Sequence, residues 1–392
     1  VFAILYVLMI LYLRKRIKLA IAIVKEAGHA MTDMPLILLL PVIQTLGMVL
    51  FLIPWFIYEL YLTSSGEITK STETYSYNNV DTEVTTSSFE YDTNTNYAFL
   101  YMMFAFFWTS QFIIAMGQLI VAMTIACWYF TKDRSTLGNS TFMWACKASW
   151  IHAGTAAFGS LVIAIIKFIK YLLRKLQKNL EKSQNRAAIF IMQCIGCCMW
   201  CVEKCMKFLN KNAYIQTAIY GYGFCNAARS AFFLLLRNIA RVYVVSKISD
   251  FILFLGKLLI PVATTFLAYL VLAYGSGAEE MNGMMGPLFL VYLLAYFVAC
   301  MFNEIYGMAI QTILLCYVAD EEMFENPGDR FIPGTLRNTL TSTQKAAADL
   351  KAVAPTDEKG MQEAEGDSEK PSDDVKAKPS SSVAPSVSGG LM

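Results

Sequence analysis

Charge is what this chain has least of: 16% of its 392 residues are Asp, Glu, Lys or Arg, against 56% hydrophobic ones. Soluble domains carry nearer a quarter charged residues, so a water-soluble globule is excluded. Histidine is scarcer still, with two copies, His29 and His152; each is read as a hydrogen-bonded structural imidazole. There is no P-loop, no dinucleotide-binding glycine pattern, no G-x-S-x-G elbow and no paired-Asp metal motif. Those absences argue against an enzyme, and no cofactor or nucleic-acid partner is expected. A closed barrel would need strands alternating over about 10 residues, whereas the apolar runs here are continuous.

Runs of about 18 or more apolar residues are read as transmembrane helices. They cover 34–58, 93–131, 148–166, 258–278, and 281–303 continuing past Glu304 to 319. The run 1–13 is shorter and is read as the end of a truncated span, since the chain begins inside it. The expected fold is all-α, a polytopic membrane helical bundle of about five to seven spans over 1–319. From 320 to 392 apolar periodicity disappears in favour of Ala, Ser, Pro, Lys, Asp and Glu, and a disordered cytoplasmic tail is expected.

Charge placement gives an orientation. Arg14, Lys15, Arg16, Lys18 and Lys25 follow the first run, Lys132 and Arg134 follow the third, and 167–211 is densely basic. The loop 63–96 instead holds Glu67, Glu73, Asp81, Glu83, Glu90 and Asp92 against Lys70. By the positive-inside rule the basic segments are cytoplasmic and the acidic loop is extracellular. The run 148–166 is basic on both flanks, so it either pairs with a second crossing near 213–224 or forms a membrane-embedded hairpin entered from the cytosol. The range 167–257 is accordingly read as cytoplasmic and interfacial.

Within that range, Arg229, Arg237, Arg241 and Lys247 fall on about a third of a helix circumference, opposite Phe232, Leu235, Leu236 and Ile239. A helix so striped is expected to lie in the interface, with Arg229, Arg237 and Arg241 on anionic lipid headgroups, as an anchor or gate. Cys194, Cys197, Cys198, Cys201 and Cys205 share one helical face, which suits palmitoylation or packing better than a zinc site built from two elements. The loop 63–96 has neither cysteine nor glycosylation sequon; Asn139-Ser140-Thr141 is the sequon elsewhere.

Several segments together, NAYIQTAIYGYGFCNAARSAFFLLLRNIARV, DFILFLGKLL, MFNEIYGMAIQTILLCYVAD, HAGTAAFGSL and CCMWCVEKC, resemble the choline transporter-like protein family. The resemblance runs up to about Asp320. It implies plasma-membrane proteins, in some cases mitochondrial ones, of about ten transmembrane helices with cytoplasmic termini. It also implies that this chain lacks the family's first three helices and large extracellular domain. The implied activity is sodium-independent, facilitated uptake of choline, in some members ethanolamine or thiamine pyrophosphate, with proton exchange proposed. Two departures stand out: Gln311 where the family commonly has Asp, and Trp150-Ile151-His152-Ala153-Gly154 where it has Arg-Tyr-His-Leu-Gly.

The polar residues inside the apolar runs are the candidate binding set, since polar groups in lipid are costly and face cavities or other helices. Trp108 with Trp55 or Tyr101 is expected to form a cation–π wall for a quaternary ammonium. Gln111, Gln118 and Asn303 are expected to orient a hydroxyl, Glu304 to supply the compensating charge, and Gln311 to join the same set. The reading is an alternating-access transporter of choline or a related small organic cation. A cation channel and a non-transporting membrane scaffold are the competing classes.

Overall fold

The computed structural model describes residues 2–77, 80–182, 186–274, 283–324, 326, 328–334, 336 and 337. Helix α1 (Phe2–Asp33) and a short 3-10 turn, Pro35–Leu39, lead into α2 (Leu40–Ser64). Pro41 occupies the first turn of α2, where its missing N–H costs nothing. Helix α3 (Thr93–Phe130) starts at Asp92, whose Oδ1 accepts the Thr93 N–H at 2.7 Å. Then come α4 (Asn139–Ile151), α5 (Ala153–Lys182), α6 (Arg186–Tyr220), α7 (Phe224–Arg237), α8 (Ile239–Tyr274) and α9 (Met285–Met323). Among the described residues, six helices are long and apolar enough to cross a membrane. The all-α polytopic bundle is what the apolar runs dictate.

Between α2 and α3 the acidic loop is not irregular. Strands β1 (Glu67–Tyr77) and β2 (Val80–Glu90) pair antiparallel, with Ile68 opposite Phe89 and Tyr77 opposite Val80. Thr, Val, Ile and Tyr crowd both strands and suit a pleated ribbon. This hairpin marks one end of the bundle. The ends of α3 and α9 mark the other, called here the tail end.

Helix α3 is the central post, packed by α2, α4, α5, α6 and α9. Helix α5 climbs it antiparallel. Ser149, on α4 just before α5, reaches Met123 Sδ at 3.4 Å, Trp108 Nε1 donates to the Ala157 carbonyl at 3.3 Å, and the Phe104 and Phe168 rings lie 5.5 Å apart. Helix α6 returns along α5: Lys170 meets Glu203, and Asn210 Nδ2 donates to the Gly159 carbonyl at 2.7 Å. Gly159 permits that approach, because a Cβ there would stand 2.3 Å from the Tyr214 hydroxyl. Helix α5 thus pairs with a second long helix that begins at Arg186, and both are long and apolar enough to cross a membrane.

That geometry divides the range 167–257, expected as one region on one side. Helix α5 ends and α6 begins towards the hairpin end, while α7 and the start of α8 sit at the tail end. The lysines of α5 belong to a helix pair and not to a loop. The expected interface helix is also interrupted. Gly221, at φ 72°, turns the chain after α6, and Asn238 breaks the helix, its N–H bonding the Leu234 and Leu235 carbonyls at 3.2 Å. Arg229 and Arg237 therefore lie on α7, and Arg241 and Lys247 on α8.

Burial is concentrated at the tail end, where Trp128, Tyr129, Ile23, Met34, Met308 and Leu314 are fully enclosed. Towards the hairpin end Leu50, Phe56, Tyr61, Val271 and Phe289 are exposed, an apolar girdle of the kind lipid covers. The boundary expected at 320 shifts. Asp320 is fully buried and accepts the Tyr129 hydroxyl at 3.2 Å and the Phe331 N–H at 3.0 Å. The Leu336 N–H donates to Glu26, itself 1% exposed, at 3.2 Å. Phe331 packs on Phe130 and Phe324, with the Lys132 ammonium 5.2 Å from its ring centre. A strap through 337 thus seals the tail end. Low apolar content hid it because much of its anchoring is backbone N–H on buried carboxylates. The rest of the expected tail, 338–392, lies outside the described residues.

Candidate functional site

A cavity of about 290 Å³ lies where α2, α3 and α9 meet. From α2 it takes Pro41, Gln44, Thr45 and Met48, the i, i+3, i+4, i+7 stripe of one helix face. Gly117 and Gln118 come from α3, and Met301 and Glu304 from α9. Gly117 is required there: a Cβ would fall 1.8 Å from Gln44 Nε2, so the bare backbone lets the Gln44 amide lie across α3 and donate to the Ile113 carbonyl at 3.2 Å. Thr45 Oγ1 donates to the Pro41 carbonyl at 2.8 Å and stands 3.1 Å from Met301 Sδ. Across the cavity, Gln118 Nε2 donates to Glu304 Oε1 at 3.4 Å, a long contact that leaves the carboxylate able to take another donor. The lining is apolar with one carboxylate and a few neutral hydrogen-bonding groups, the usual make-up of a small-ligand pocket.

The sequence candidates distribute unevenly around it. Gln118 and Glu304, from separate apolar runs, meet in the lining. Gln311 is half-buried two turns further along α9, about 10 Å from Glu304 on the same helix face. Asn303 turns to α8: its Nδ2 donates to the Ala299 carbonyl at 2.8 Å, and its Oδ1 lies 3.4 Å from where a Gly256 Cβ would be. Gln111 is half-buried on α3 and outside the lining. Trp55 Nε1 donates to the Met102 carbonyl at 3.0 Å, with its ring 5.0 Å from Phe106. Trp108, bound to α5, sits on the opposite side of α3, and Tyr101 on that side is 70% exposed. The three aromatics do not converge on one cage.

Gln44 and Thr45 are polar lining residues outside the candidate set read from the sequence. Gln44 is a polar residue in an apolar run, but nothing in the sequence tells which run faces it. The arginines expected on headgroups also have protein neighbours. Arg237 grips Glu322 through Nη2 at 2.6 Å and Nε at 3.2 Å, and Asn238 Nδ2 adds a bond at 3.1 Å. Arg241 pairs with Glu321, which also accepts the Tyr317 hydroxyl at 2.8 Å and lies 3.6 Å from Arg330. Arg229 lies over the Phe233 ring at 5.9 Å. The last turn of α9 is thereby tied to α7, α8 and the strap.

Comparison with known proteins matches residues 1–322 to the family described as plasma-membrane choline transporter. Choline transporter-like protein 2 of Xenopus laevis is 35% identical over 377 residues, covering 88% of this chain and 53% of that protein. The proteins of the same name from Mus musculus and Homo sapiens are 34% and 33% identical over 376 residues, with the same coverage. The chain spans about half the length of the curated relatives it matches.

Proposed function

The chain belongs to the choline transporter-like family, and from that premise we propose that it moves choline or a related small organic cation through the α2–α3–α9 cavity. The observation that carries this reading is the Gln118–Glu304 pair: a carboxylate set in an otherwise apolar, largely uncharged cavity, held by a neutral donor. Such an intramembrane carboxylate is a cation partner by default. Glu304 neutralises the ammonium, Gln118 and Gln44 orient a hydroxyl, and the Met48 and Met301 thioethers contact methyl groups. Trp55 stands about 10 Å towards the hairpin end from Met48 on α2, on the approach to the cavity. Trp108 and Asn303 support helix contacts beside it.

Alternating access accounts for the asymmetry of packing. The apolar, loosely enclosed hairpin half faces one compartment, and the strap with the Arg237–Glu322 and Arg241–Glu321 pairs closes the other. The protein is a plasma-membrane one with the tail end in the cytosol, where Lys132, Arg134, Arg229 and Arg237 gather. Proton exchange belongs to the same reading, with Glu304 as the carboxylate of the cavity lining. Protection tests the site without depending on transport rate. In a Thr45→Cys variant, choline is expected to slow labelling by a methanethiosulfonate reagent, with half-protection at the concentration that half-saturates uptake. Labelling indifferent to choline would remove the cavity from the path.

A further inference from the structure

The seam between α5 and α6 carries more positive charge than its carboxylate neutralises. Lys170 Nζ lies 2.5 Å from Glu203 Oε2, and Lys207, one turn along α6, lies 2.6 Å from Glu203 Oε1. Lys167, one turn before Lys170, falls opposite Lys207 in the antiparallel register and lies within electrostatic reach of Lys207, Glu203 and Lys170. Two ammonium groups thus take both oxygens of one carboxylate, and a third lysine stands one turn away. Lys204, next along α6, sits over the Trp200 ring at 5.6 Å and adds a further positive charge to the face.

The surroundings make that excess costly. Both helices are long and apolar enough to cross a membrane, and Ile169, Leu172, Trp200 and Phe208 are exposed beside the seam. The Lys170 and Glu203 side chains are only 17% and 12% exposed, while Lys207, at 41%, opens outward. Charges on such helices are normally paired, and basic pockets between membrane helices receive anionic headgroups. A phosphate diester supplies the missing charge and several acceptor oxygens, and acyl chains match the exposed apolar side chains.

We propose that the α5–α6 seam is a phosphate site occupied by the headgroup of an anionic phospholipid, held between Lys167 and Lys207. Glu203 spaces the lysines. The site is remote from the α2–α3–α9 cavity and does not depend on the transport reading.

Native mass spectrometry of the full chain, exchanged into phosphatidylglycerol or phosphatidylcholine, tests this. Retained phosphatidylglycerol is expected to exceed phosphatidylcholine, and Lys207→Gln, at an exposed position, is expected to lower it roughly fivefold, in line with about 1 kcal/mol per basic group. Glu203→Gln strips the neutralising charge and is expected to retain the lipid at least as well. Lys247→Gln, at the tail end, is expected to change nothing. Equal retention of the two lipids, or retention indifferent to Lys207→Gln, would overturn the proposal. Displacement of the lipid by millimolar inorganic phosphate would overturn the lipid as occupant and leave a free phosphate in its place.

Discussion

Gly117 and Gln44 show how much of this molecule rests on single side chains. The Gln44 amide occupies the space that a Cβ on residue 117 would need, so Gly117→Ala drives it out of the cavity and breaks its bond to the Ile113 carbonyl. Uptake is expected to fall severalfold, and the double variant Gly117→Ala/Gln44→Ala is expected to restore thermal stability but not affinity. Equal stability of the single variant and the parent would contradict the packing described. The same scale explains what the sequence does and does not disclose. Gln118 and Glu304 are legible because each is a polar group in an apolar run. Their meeting is not, because they lie 186 positions apart and depend on how α3 and α9 turn. Trp55 and Trp108 have the chemistry of a cation cage, but helix rotation sends them to opposite sides of α3.

At the scale of elements, the long apolar runs read directly as helices, whereas the breaks between them do not. Asn238 ends α7 with no proline or glycine to announce it. The strands β1 and β2 had a signal in their Thr, Val and Tyr content, outweighed by the acidic residues among them. The strap through 337 is held by buried acceptors, and magnitudes rank its contacts. Asp320→Ala leaves the Tyr129 hydroxyl and the Phe331 amide unpaired in a buried site, at about 1–3 kcal/mol for each unmet group. Arg237→Ala removes a pair whose side chains are 62% and 35% exposed, a class worth at most about 1 kcal/mol. Thermal unfolding in detergent is therefore expected to show a large drop in Tm for Asp320→Ala and a small one for Arg237→Ala. The reverse order would mean that the ion pairs, not the buried acceptors, hold the tail end shut.

For the whole molecule, the α5–α6 pair is the point at which charge counting and architecture part. Charge counting takes the basic residues of α5 to mark one side, yet the helix carries Lys175 and Lys178 towards the hairpin end. A membrane-impermeant maleimide is expected to label Ser65→Cys and Lys178→Cys from one side and Asn139→Cys from the other, in a background without the exposed native cysteines. Labelling of Lys178→Cys together with Asn139→Cys would refute the crossing pair. The family and the helix count follow from motifs and apolar runs, but the cavity arises only when α2, α3 and α9 converge beside a closed tail end. Its role is tested most directly by uptake of radiolabelled choline in cells expressing the protein or its Glu304→Gln variant at matched surface levels. Saturable uptake by the parent, reduced roughly tenfold or more in the variant (about 1.4 kcal/mol), is the predicted result. Undiminished uptake by Glu304→Gln would contradict the account.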